Sequence, residues 1–326
     1  MKKLIAVLLA LSCMLIGAAA VAETLNIAYM PNYGSLWSVE TAINKGYFEE
    51  EGLTINLVEF ADGPTIIAAM ESGSIDMGYI GQGAHKLCIN GRASIFALSH
   101  ISNGDALIGG KGIATVEDLK GKVVAYSSGT SSEDILKNSL NKAGMTMDDI
   151  KAMDMDASAI VTAMLSGGVD ACATWSPNSL KILEEMPDAT KLTDNMTFAD
   201  TTVSLASWIC MPKYGEENHD LLVRFTRALF KGMDYSASEH YDEVSEWVAK
   251  QTATDYDSVY NQRGDAQMHA DLQQAVIPFH GKCPLCGARR GGLWLILLLI
   301  IDAGVRPVNA RHALSAIFKQ SVSKGA

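Results

Sequence analysis

Small and hydroxylated residues gather at five points of this sequence, residues 31–35, 62–65, 81–84, 127–132 and 175–178. Each follows a short apolar run and precedes a stretch with helical periodicity. Loops of this kind let backbone N–H groups approach a ligand closely, and the helix start behind each adds a partial positive charge. The chemistry this suits is capture of a small polar molecule by neutral donors. Each point also reads as a plain helix start: Thr130-Ser131-Ser132-Glu133 is a capping box, and Ser176 and Gly63 each precede a proline at a first helical position. Five such junctions in two repeated halves point to a cleft. Bond-making chemistry has less to stand on. His85, His100, His219 and His240 show no nucleophile or metal spacing, and His100 near Asp105 reads as a loop pair or a cleft lining. No catalytic residue, metal or cofactor is expected.

The elements that must position these junctions alternate. Strands are expected over 25–30, 54–60, 77–80, 95–98 and 106–108, with helices over 35–45, 64–71 and 84–90 between them. A second round follows: a short helix at 116–119, strands at 122–126, 150–155, 171–175 and 190–192, and helices at 131–142, 159–165 and 177–185. An apolar strand at 205–211 and long amphipathic helices at 220–236 and 239–250 close the series. This is the α/β grammar, in which parallel sheets bind ligands beyond the carboxyl ends of their strands.

Lys2 and Lys3, an apolar run over 4–17 and the small residues Ala18, Ala19, Ala20 and Ala22 make a secretory signal over 1–22, with the mature chain starting at Glu23. That places the protein in the periplasm; lipid anchoring through Cys13 would need a better lipobox than Ala10-Leu11-Ser12-Cys13. About 300 residues then remain, enough for two ordinary domains. A net charge of −11 disfavours nucleic acid and anionic membranes as partners. Cys88, Cys172 and Cys210 lie in apolar segments and read as small buried hydrophobes. From residue 268 the composition turns abruptly to Cys, Arg and Leu. Cys283-Pro284-Leu285-Cys286 is half a zinc site at best, and the nine-residue apolar run 293–301 is too short to span a bilayer. We read 268–326 as an atypical tail, consistent with a shifted frame or a recombined end.

Several phrases are more specific. Asn32-Tyr33-Gly34-Ser35-Leu36-Trp37, the stretch Lys45-Gly46-Tyr47-Phe48 to Leu53, and Glu71-Ser72-Gly73-Ser74-Ile75-Asp76 resemble the substrate-binding proteins that serve ABC importers of nitrate, sulfonates, taurine and thiamine precursors. Glu117-Asp118-Leu119-Lys120-Gly121-Lys122, the stretch from Tyr126 to Leu136, Ser166-Gly167-Gly168-Val169-Asp170 and Trp175-Ser176-Pro177 continue the likeness over about residues 24–270. The resemblance implies the type II periplasmic binding protein fold, two similar lobes joined by two chain crossings. Residues 23–108 with 205–267 would form lobe one and 109–204 lobe two, hinged near Ile108-Gly109-Gly110 and Ser204-Leu205-Ala206. It also implies a non-catalytic receptor with an inner-membrane permease as partner.

The junctions then name the expected ligand contacts. Tyr33, Gly34, Ser35, Trp37, Gly81 and Gln82 belong to lobe one, and Gly129, Thr130, Ser131, Ser132, Trp175 and Asn178 to lobe two. No Lys or Arg lies in any junction, so an anion would rest on neutral donors, with the 128–132 loop as head-group site and Glu133 and Asp134 competing. An aliphatic sulfonate or taurine-like compound is the first expectation. Acidic Glu40, Asp62, Asp105 and Asp200 leave a cationic or zwitterionic ligand open, such as a thiamine pyrimidine precursor stacked between aromatics.

Overall fold

In a computed structural model, residues 22–237 and 240–267 are described. The expected signal up to residue 21, Cys13, the CxxC and the tail after Gln267 lie outside them. Strand β1 (Glu23–Tyr29) lies between β2 (Leu53–Glu59) and β3 (Met77–Ile80), all parallel. Next to β3, β10 (Leu205–Cys210) runs antiparallel, followed by β4 (Ser94–Ser102) and the short β11 (Ala266–Gln267). The second sheet repeats that plan: β7 (Lys151–Asp154), β6 (Val123–Tyr126) and β8 (Ala171–Trp175) are parallel, and β5 (Asp105–Gly109) and β9 (Thr190–Asp194) complete it.

One boundary differs from the sequence reading. The strand expected to finish lobe one, β5, pairs antiparallel with β8 and β9, so the chain changes lobes at Asn103-Gly104 and not at Ile108-Gly109-Gly110. Local sequence is blind to this. An apolar strand fits either sheet, and its partners lie about 65 and 85 residues downstream. The return crossing runs through 195–204 into β10.

Several helices start on side-chain caps. Asn32 caps α1 (Tyr33–Asn44), Asp62 caps α3 (Gly63–Glu71), Thr130 caps α5 (Ser131–Lys142) and Asp156 caps α6 (Ala157–Leu165). Chain order also includes α2 (Tyr47–Glu50), α4 (His85–Ile89), α7 (Asn178–Glu185), α8 (Pro212–Glu217), α9 (His219–Ser236), α10 (Tyr241–Thr252) and α11 (Tyr256–Tyr260). Gly73 and Gly167, just past α3 and α6, sit at φ of 78° and 70°, the left-handed conformation that ends a helix cheaply only in glycine. Phe48, Phe96, Trp208 and Phe225 pack between the first sheet and its helices, ring centroids 5.1–5.9 Å apart. There α9 lies directly on α1, because a Cβ on Gly232 would fall 2.3 Å from the Ser38 carbonyl oxygen. Cys172 and Cys210 are buried, their thiols pushed up to about 12 by burial, while Cys88 is half-buried.

Candidate functional site

The carboxyl ends of β1, β3, β6 and β8 face one another across a cavity of about 60 Å³. Water occupies roughly 10–15 Å³ on this measure, so the space suits a ligand of a handful of heavy atoms. Lobe one contributes Asn32, Gly34, Gly63, Pro64, Tyr79, Gly81 and His100; lobe two contributes Thr130, Ser131, Trp175 and Ser176. Ser102, Gly104 and Asp105 line it from the first crossing, and Gln262 and Asp265 from the segment leading to β11.

The lobes touch at its rim. A 3-10 turn over Gln82–Ala84 presses on the start of α5 so closely that a Cβ on Gly83 would lie 2.0 Å from the Thr130 carbonyl carbon. Lys86 Nζ spans the gap to Glu133 Oε2 and Asp134 Oδ1, both at 3.3 Å. Burial alone would raise Glu133; Lys137, the Gly129 amide and Lys86 overcome it and bring the carboxyl down to about 2. These acids are therefore spent on the lobe contact.

The aromatic wall is Tyr79 and His100. Their rings stack 5.9 Å apart at 19°, and Trp37 meets His100 edge-on from behind at 6.2 Å. His100 Nδ1 lies 3.0 Å from Ser99 Oγ, and burial draws the imidazole down to about 3, so the ring is neutral at physiological pH. Gly34 is needed here, since a Cβ would come within 3.1 Å of that ring.

The opposite wall is acidic. Asp105 is 3% exposed and accepts hydrogen bonds from Ser131 Oγ at 2.5 Å, Asn195 Nδ2 at 2.9 Å and Ser204 Oγ at 3.2 Å. Burial raises its carboxyl above the ordinary range, and those three donors hold it back. Burial pushes Asp265 up to about 6, with the negative charge of Asp105 adding and Ser176 opposing. The Oδ2 of Asp265 is buried with no hydrogen-bond partner. No Lys or Arg lines the cavity among the described residues.

The profile of the family described as NMT1/THI5 like matches residues 38–242. The chain belongs to that NMT1/THI5-like family. A putative binding protein of Brucella abortus is 30% identical over 246 residues, covering 75% of this chain and 77% of its own length. A putative aliphatic sulfonates-binding protein of Escherichia coli is 30% identical over 194 residues, 54% of this chain and 56% of its own. Among solved structures, the alkanesulfonate-binding protein SsuA of Xanthomonas axonopodis bound to MOPS superposes with a TM-score of 0.63 at 21% identity, over 77% of this chain and 90% of that one, which shows the shared fold. Like these relatives, the chain is a binding protein and not an enzyme.

Within this NMT1/THI5-like cleft, the structure sorts the twelve expected contacts. Gly34, Gly81, Thr130, Ser131 and Trp175 line the cavity, and Gln82 lines a smaller neighbouring pocket while its Oε1 accepts from the Leu205 amide. Tyr33 and Trp37 are core, 1% and 2% exposed. Ser35 and Ser132 face inward, each Oγ accepting from the amide five residues back, Met30 and Ser127. Gly129, at φ 75°, shapes the turn ahead of α5, and Asn178 Nδ2 donates to the Ala157 carbonyl. The head-group reading also changes at Thr130 and Ser131: their hydroxyls already donate, to the Ser127 carbonyl and to Asp105. Sequence reasoning missed Tyr79, Gln262 and Asp265. Tyr79 hides inside a four-residue buried strand, and Gln262 and Asp265 arrive together from more than 150 residues beyond the other walls of their own lobe.

Proposed function

We propose that the protein is the periplasmic receptor of an ABC importer, closing on one compact organic solute between its lobes and offering the closed shape to a membrane permease. What carries this is the cavity itself, walled by both lobes at the strand ends and bordered by the first chain crossing. Sulfonate and taurine recognition among the relatives makes a small amino-sulfonate the leading ligand class. The stacked Tyr79 and His100 rings support a second reading, a flat aminopyrimidine lying against them. A thermal-shift panel of the mature protein tests the receptor role: a bound solute raises Tm with concentration, as linkage requires. Small-angle scattering with and without that solute tests closure, and an unchanged radius of gyration would count against it.

A further inference from the structure

Several donors of the cavity wall are already committed within the protein. Thr130 and Ser131 give their hydroxyl protons to the protein, and Gln262 spends both ends of its amide, accepting from the Tyr33 amide and donating to the Ser258 carbonyl. His100 is neutral, and Tyr79, fully buried, stays protonated. Against this stand two carboxylates, with no cationic side chain among the cavity-lining residues. A buried negative charge without a counter-charge is costly, and burial pushes both of these acids toward their neutral forms, so a positive charge arriving with the ligand is what would ionise them and be held.

From this juxtaposition we infer that Asp105 and Asp265 form a subsite for a positively charged nitrogen, so the solute carries an ammonium or protonated amine group. The inference rests on the cavity being the solute site. Asp105 is oriented for the task by three donors, which fix the carboxylate without neutralising it. Asp265 keeps Oδ2 unpartnered, and Gly104 makes room for it, since a Cβ there would meet the Asp265 side chain at 3.3 Å. An ammonium has three N–H groups to place, and charge-assisted hydrogen bonds of this kind are about twice as strong as neutral ones. For the amino-sulfonate class the subsite selects the amine end; a plain alkanesulfonate would meet acceptors and negative charge.

The test is a titration of the mature chain with matched probes: taurine, isethionate (a hydroxyl replacing the amine), ethanolamine (no sulfonate) and 4-amino-5-aminomethyl-2-methylpyrimidine. At least one nitrogen-bearing probe should bind, and isethionate should bind at least about 10-fold more weakly than taurine. Asp265→Asn should cost that probe about 10- to 100-fold in affinity while raising the Tm of the ligand-free protein at pH 8, because a largely buried charge with one unpartnered oxygen has been removed. A merely structural Asp265 would lower Tm and leave the preference for amines intact. Isethionate binding as tightly as taurine, or undiminished amine binding by Asp265→Asn, overturns the subsite and leaves the receptor standing. Silence from every probe removes the compact-solute reading together with it.

Discussion

The two lobes solve the same backbone problem with the same side chains. In lobe one the Asn26 amide donates to Asp76 Oδ2 at 2.8 Å, and in lobe two the Val123 amide donates to Asp170 Oδ2 at 2.8 Å. Ser35 accepts from Met30 as Ser132 accepts from Ser127, both at 3.0 Å. Asp62 caps α3 as Asp156 caps α6. The cleft walls share none of this. Lobe one presents the Tyr79–His100 stack, and lobe two presents hydroxyls already committed, Ser131 to Asp105 and Thr130 to the Ser127 carbonyl. Repetition marks what folding requires, because a buried strand amide needs a partner in either lobe. Asymmetry marks what the ligand requires.

Four experiments can break or sharpen this contrast. Gly83→Val should have the largest effect, loss of solute affinity by about 100-fold or more, because its side chain would drive into the Thr130 backbone and hold the lobes apart. Unfolding should stay near wild type, and scattering should show an open form even with solute; tight binding by this variant would mean that the lobe contact is dispensable. Next, Ser132→Ala should cost about 2–3 kcal/mol in denaturant unfolding and Ser35→Ala about 1–2. The paired positions are not equal, since Ser132 also donates to the Ala173 carbonyl at 2.7 Å. Equal losses would erase that distinction.

A pH series comes third. Asp265 titrates near 6, so a cationic solute should bind fully above that pH and lose about 10-fold as pH falls through and below it. Folding has the opposite sign at this group. The folded state holds the Asp265 proton more tightly than the unfolded chain, so its burden on ligand-free stability appears as pH rises through 6. His85 and His100, held near 4 and 3, work the other way: the unfolded chain takes up their protons below about 6.5 and stability is lost with acid. Calorimetry with and without solute separates these effects. Smallest is Lys86→Ala. Its nitrogen is half-exposed, so affinity should drop only about 2- to 3-fold, and less at high salt.

The framework was legible in the sequence because its signals are local. Ser-Gly-Ser-Ile-Asp and Ser-Gly-Gly-Val-Asp announce a helix end, a left-handed glycine and a strand within a few residues, and the structure places all three there. The junction serines were legible too, though as candidates for the wrong surface. A hydroxyl at a helix start can face the cleft or the strand behind it, and a single chain reading cannot choose between Ser131 and Ser132. The illegible parts were set by distant partners. β5 was assigned to the wrong lobe because β8 and β9 claim it, and Asp265 joins the cavity only after the chain has left lobe two and returned.

Asp105 stands just past the first crossing and is bonded to Asn195 and Ser204 on the second. Under the closure proposed above, points beside the chain crossings would travel least, so this carboxylate would keep its place while the rim swings. A solute drifting into the open cleft would therefore find its charged anchor already set, and only afterwards Gly83 and Lys86 sweeping in to enclose it. Arrival and enclosure would then be separate events in time: the first governed by diffusion and ionic strength, the second by how fast two packed lobes can turn.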